Sequence, residues 1–156
     1  VQKLMIAVCG SAAEDARLNA LAEEVGRRIA LAGATLVCGG RTGVMAAACR
    51  GAAEAGGLTV GILPGSEPRE ANPYVQVAIA TGAGHARNVM IVQSAAAVIA
   101  IGGEYGTLSE IAIARKCGRR VIGLESWDLG NDADGMPRVT PAQTPAEAVA
   151  LALHAA

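Results

Sequence analysis

The residues best suited to chemistry lie in glycine-rich turns. Gly102-Gly103-Glu104-Tyr105-Gly106-Thr107 follows the apolar run Ala96–Ile101 and precedes a helical pattern that reaches about Cys117. Glycine permits positive φ and lets the backbone come close to an anion. The helix that follows offers unpaired N–H groups and the positive end of its dipole. That is the chemistry of phosphate binding. Gly10-Ser11, Gly39-Gly40-Arg41-Thr42-Gly43 and Gly82-Ala83-Gly84 have the same character, the last of them just ahead of Arg87. None is a dinucleotide fingerprint, because G-x-G-x-x-G is missing after the first apolar run, and none is followed by the Gly-Lys-Ser/Thr of a Walker loop. The expected ligand is a small molecule bearing phosphate.

Four nearby residues read in two ways. Thr107-Leu108-Ser109-Glu110 fits a T-x-x-E capping box, so Thr107 and Glu110 serve either the helix or the ligand. Arg87 reads as an anion ligand or a solvated helix arginine, and His85 as a lining residue or a surface-turn histidine. His154 lies in the tail, and Asp132 and Asp134 lack the spacing of metal ligands. No metal is expected.

Positioning these turns takes an alternation of strands and helices. Val1–Cys9, Thr35–Cys38, Leu58–Leu63, Val75–Thr81, Ala96–Ile101 and Arg120–Leu124 read as strands. Glu14–Ala32, Val44–Ala55, the stretch from Arg87 and the stretch behind Gly106 read as helices. Val75–Thr81 alternates so weakly that both of its faces are expected to be covered. Residues 126–143 read as irregular loop, and Thr144-Pro145-Ala146-Glu147 as a capping box opening a terminal helix. The alternation predicts an α/β fold, a Rossmann-like three-layer sandwich whose parallel sheet carries helices on both faces, in one domain over 1–156. Ligands in such sheets bind outside the carboxyl ends of the strands, where three of the glycine turns fall.

Composition narrows the partners. Hydrophobic residues make up 52% of the 156 and charged residues 17%, enough for a substantial core. The net charge of -1 gives no electrostatic reason for a nucleic-acid or acidic-lipid partner. Tyr74, Tyr105 and Trp127 are the only aromatics, too few for the stacking platforms of single-strand binders. No apolar run is long enough to span a bilayer, and no signal peptide is visible, so a cytoplasmic location is expected. The four cysteines (Cys9, Cys38, Cys49, Cys117) form no metal-type pair and read as reduced, buried small residues. Cys9 and Cys38 end strands that could be neighbours, which leaves a thiol at the site mouth as the other reading.

Two segments carry a resemblance. Ile101-Gly102-Gly103-Glu104-Tyr105-Gly106-Thr107-Leu108-Ser109-Glu110 resembles the P-G-G-x-G-T-x-x-E motif of the LOG family, and Gly39-Gly40-Arg41-Thr42-Gly43-Val44-Met45 its G-G-x-x-G-x-M signature. A closer likeness is to a short bacterial branch of that superfamily that also looks like molybdenum cofactor carrier proteins. Its marks are Gly61-Ile62-Leu63-Pro64-Gly65, Ala71-Asn72-Pro73-Tyr74 and Thr81-Gly82-Ala83-Gly84-His85-Ala86-Arg87-Asn88. The resemblance implies a nucleotide-binding Rossmann domain and, in LOG enzymes, hydrolysis of the N-glycosidic bond of a nucleoside 5′-monophosphate. It implies phosphate binding by Gly10, Ser11, Gly39, Gly40, Gly43, Met45, Gly102, Gly103, Gly106 and Thr107, with Arg87 and Glu110 catalytic at the sugar. Asn88 stands where those enzymes have Lys, and Ile101 where they have Pro. The alternative is a non-catalytic binder, either a molybdenum cofactor carrier or a nucleotide sensor. No cofactor is required under either reading; a bound molybdenum cofactor or nucleotide is the implied occupant. A homodimer or higher homo-oligomer is implied too.

Overall fold

The structure, a computed structural model, describes residues 1–155; Ala156, the last residue of the expected domain, lies outside them. Seven strands form one parallel sheet: β1 (Met5–Gly10), β2 (Thr35–Cys38), β3 (Thr59–Leu63), β4 (Val77–Ala80), β5 (Ala97–Ile101), β6 (Arg120–Leu124) and β7 (Thr140–Ala142), in the order β4-β3-β2-β1-β5-β6-β7. Five helices connect them: α1 (Ala16–Leu31), α2 (Val44–Glu54), α3 (Arg87–Ser94), α4 (Tyr105–Lys116) and α5 (Pro145–His154). This is the predicted Rossmann-like three-layer sandwich. Among the described residues no helix is long and apolar enough to cross a membrane, and no group of three or more His, Cys, Asp or Glu side chains could hold a metal.

Alternate residues of each central strand feed the two faces. Ile6, Val8, Ile99 and Ile101 pack against α1, α2 and α5, whereas Ala7, Cys9, Val98 and Ala100 pack against α3 and α4. Nearly continuous apolar runs in β1, β2 and β5 follow from this double coverage. The α1 N-terminus is fixed by Asp15, whose carboxylate accepts from Arg17 N–H and Leu18 N–H at 3.0 Å each. The α5 box also forms: Thr144 Oγ1 accepts from Glu147 N–H at 3.1 Å. The Glu147 carboxylate reaches one residue further back, to Gln143 N–H at 2.9 Å.

Two expectations fail for edge-strand reasons. β4 is not covered on both faces. It borders the sheet, and Val77 and Ile79 are 43% and 46% exposed. The stretch 126–143 is not wholly irregular either, since it contains β7. Pro141 hides that strand from sequence reasoning because proline cannot complete a ladder, yet on the outermost strand its missing N–H costs nothing.

Candidate functional site

The order of strands reverses between β1 and β5, and there a cleft of about 280 Å³ opens at their carboxyl ends. Gly10 pairs with Ile101 across the two strands, so the Gly10-Ser11 turn lies beside the Gly102 loop. Of the sequence-predicted residues, Gly10, Ser11, Gly39, Met45, Arg87, Gly106, Thr107 and Glu110 line the cleft. Gly40, Gly43, Gly102 and Gly103 do not. They shape the turns behind it.

The loop depends on two left-handed glycines, Gly102 at φ 57 and Gly103 at φ 105. At Gly103 an added Cβ would collide with the Thr107 side chain, which is 4% exposed. The chain then enters α4 at Glu104, and no side chain caps that helix. Its first-turn N–H groups have no intrahelical partners by geometry, so they are offered to the cleft. The capping-box reading of Thr107 and Glu110 is therefore not realised. The cap position falls three residues before Thr107, so both residues lie within the helix rather than at its start.

Arg87, the first residue of α3, reaches across to β2 and β3. Its Nη1 donates to Gly39 O and to Ile62 O, each at 2.7 Å. A Cβ on residue 39 would sit in the guanidinium, which accounts for glycine there. Nε of Arg87 is buried without a partner among the described residues. Burial lowers the Arg87 pKa, while the Glu110 carboxylate opposes the shift. No ion pair joins Arg87 to Glu110 among the described residues.

Glu110 faces β1 from one turn further along α4. Burial pushes its pKa up to about 7, against partial compensation from Arg87 and from a hydrogen bond with Cys9. The Cys9 thiol is buried and pushed well up, first by desolvation and then by Glu110. Asn88 follows Arg87 and is 6% exposed, yet its Oδ1 has no partner. A buried polar atom left unpaired costs about 1–3 kcal/mol. Arg87 and Asn88 line the cleft, and among the described residues each keeps one polar atom, Nε and Oδ1, buried in the wall without a partner.

Sequence reasoning passed over Asn88 as a lining residue and kept a Cys9 thiol at the site mouth only as its second reading. Asn88 was legible only as a departure from an Arg-Lys pair. Cys9 became a lining residue because alternation turns it toward α4. His85, read in two ways from sequence, lines the cleft. Cys38 and Cys49 behave as buried small residues, their sulfurs 3.4 Å apart beneath the Gly39 turn.

The remaining motifs brace this arrangement. Asn72 N–H donates to Gly40 O, and Asn72 Nδ2 to Arg41 O, both at 2.8 Å, pinning the Gly39–Gly43 turn. Thr81 Oγ1 donates to Leu63 O at 2.6 Å, and Gly82 N–H to Gly65 O at 2.8 Å. These contacts fix the segment that delivers Arg87 and Asn88. Each conspicuous motif thus has a structural task.

The comparisons agree with this geometry. Over residues 3–149 the chain matches the SLOG cluster4 family. An uncharacterised protein of Archaeoglobus fulgidus is 48% identical over 124 residues, 79% of this chain and 82% of that one. The molybdenum cofactor binding protein of the phototrophic bacterium Rippkaea orientalis superposes with a TM-score of 0.89 at 39% identity, covering 96% of this chain and 95% of its own. The Moco carrier protein of Chlamydomonas reinhardtii gives 0.86 at 34% identity, covering 99% and 98%. From the family match and the glycine-loop cleft alike, the chain belongs to the SLOG cluster4 family of the LOG-like superfamily.

Proposed function

We propose that this chain binds a phosphate-bearing pterin of the molybdenum cofactor class as cargo and holds it without turnover. One observation carries the reading: the cleft opens beside an uncapped helix N-terminus, whose first-turn residues Gly106 and Thr107 line it together with Arg87. A terminal phosphate satisfies the first-turn N–H groups and is balanced by the Arg87 charge. The likeness to proteins named for binding or carrying molybdenum cofactor extends over nearly the whole chain and supports that choice.

In this reading the α4 first turn, Gly106 and Thr107 hold the phosphate, with the Gly10-Ser11 and Gly39 backbone closing the pocket. Arg87 supplies positive charge from the far wall. Asn88, beside Arg87 in the lining, adds no charge to that wall. Glu110 is partly protonated near neutrality and therefore adds little repulsion toward an anion.

A nucleoside 5′-monophosphate hydrolase is the second reading, favoured by Arg87, Thr107 and Glu110 sharing the cleft. Against it, Arg87 Nη1 is committed to two carbonyls and Asn88 supplies no second cation. The test is to incubate the protein with purine nucleoside monophosphates and assay free base and ribose 5-phosphate, with Glu110→Gln and Arg87→Ala alongside. No release is expected from any of them. Base release by the wild type that disappears in Glu110→Gln would establish the hydrolase instead.

A further inference from the structure

A second pocket lies on the other side of the Gly102–Thr107 loop. It measures about 430 Å³ and opens over the carboxyl ends of β6 and β7, with Glu125, Ser126, Trp127, Asp128 and Gln143 in its wall. That wall is bonded to the loop itself. Ser126 Oγ donates to Gly102 O at 2.7 Å, and the Trp127 indole N–H donates to Glu104 O at 3.3 Å. The chain reaches the wall through Glu125, the only non-glycine residue at positive φ among the described residues (φ 50). Its carboxylate is anchored to Arg17 of α1.

The placement of aromatic residues singles this pocket out. The chain has only three, and the buried core contains none of them. Trp127 lines the pocket, and Tyr105, outside its wall and 79% exposed, brings its ring to 6.2 Å from the indole at 33°. An aromatic ring left in a surface pocket is available for stacking on a planar ligand. Size points the same way. The β1/β5 cleft, at about 280 Å³, falls just below the ~300–1,000 Å³ usual for small-molecule sites, and this pocket lies within that range.

We infer that this pocket takes the planar heteroaromatic ring of the ligand whose phosphate sits at the glycine loop, with Trp127 as the stacking surface. The inference rests on the phosphate reading above. Glu125 and Asp128 are the charged groups of the wall; one oxygen of each is taken, by Arg17 and by the Gly130 N–H, which leaves Glu125 Oε2 and Asp128 Oδ2 to accept a pair of N–H bonds. The 2-amino-4-oxopyrimidine edge, common to guanine and pterins, presents such a pair of donors. Adenine presents a ring acceptor there instead. Trp127 and the carboxylates together select that edge.

Trp127 is the sole tryptophan, so emission excited beyond the tyrosine absorption band reports on this pocket alone. The protein is titrated with inorganic phosphate, ribose 5-phosphate, AMP, GMP and neopterin monophosphate, following emission and, by calorimetry, affinity. GMP and neopterin monophosphate are expected to quench Trp127 saturably, while inorganic phosphate and ribose 5-phosphate bind without moving its emission. Trp127→Ala should weaken the two ring ligands about tenfold or more, as removal of a base-stacking aromatic does, and leave inorganic phosphate unchanged. Trp127→Phe, which keeps a ring, should restore most of the affinity. Ring ligands that bind with unmoved emission and equal affinity for Trp127→Ala would overturn the inference. Equal affinity for AMP and GMP would overturn the carboxylate assignment. Failure of inorganic phosphate to bind would overturn the loop reading, and this inference with it.

Discussion

Replacing Glu110 by Gln is expected to stabilise the free protein at pH 8 and to leave it nearly unchanged at pH 4.5. Burial raises this carboxyl to about 7 from the usual 4.5, so the folded chain keeps a proton that the unfolded chain has released. Between those values the native state binds more protons than the unfolded one. Stability therefore falls as pH rises through that window and stays reduced above it. At about 1.4 kcal/mol per pKa unit the ceiling is roughly 3 kcal/mol, and partial exposure of Glu110 to the cleft brings the expected gain to about 1–2 kcal/mol. Arg87 and Cys9 face the carboxyl, and both favour its charged form without overcoming desolvation. Gln keeps the shape and removes the charge. Urea unfolding of both proteins at the two pH values measures the difference. A loss of stability at pH 8 would mean that a partner holds Glu110 ionised in the fold.

Arg87→Ala should act in the opposite direction and at every pH. It leaves Gly39 O and Ile62 O without their shared donor, and hydrogen bonds from a charged group contribute roughly 1.5–3 kcal/mol each. Arg87 is half-buried, so water replaces part of the loss, and a net cost of about 2–3 kcal/mol is expected. The same change should weaken inorganic phosphate binding at least tenfold, since a charge-assisted contact contributes about 1.4 kcal/mol or more. Both bonds come from the one nitrogen Nη1, and the ammonium of Arg87→Lys ends one bond shorter, so it should recover less than half of the stability. Unchanged unfolding of Arg87→Ala would show that the guanidinium does not tie β2 to β3.

How much of this was legible in the sequence follows from which forces are local. The alternation of apolar runs and helical patterns placed β2 and β6 to the residue, because central strands covered on both faces must be apolar throughout. Edge strands obey weaker constraints. β4 leaves Val77 and Ile79 partly in solvent, and β7 tolerates Pro141, so neither has the signature of a central strand. The glycine turns were legible because positive φ and close approach leave almost no other residue a place.

Thr107 and Glu110 were ambiguous for a physical reason. A helix start is set by where the chain turns, and the left-handed pair Gly102-Gly103 starts α4 at Tyr105, two residues ahead of Thr107. The unpartnered atoms of Arg87 and Asn88 follow from tertiary packing, which no local pattern encodes. Trp127 was hidden for the same reason: three aromatics looked too few for stacking until the fold brought two of them beside the loop.

The account is tested most directly by what the protein holds when it is purified from cells that make molybdenum cofactor. Oxidation of the purified protein should release a fluorescent phosphorylated pterin in about molar amount from the wild type. Gly103→Ala, whose Cβ displaces the Thr107 side chain beside the glycine loop, should release almost none. A wild type carrying no pterin, or a Gly103→Ala variant carrying as much as the wild type, would contradict the assignment of this cleft.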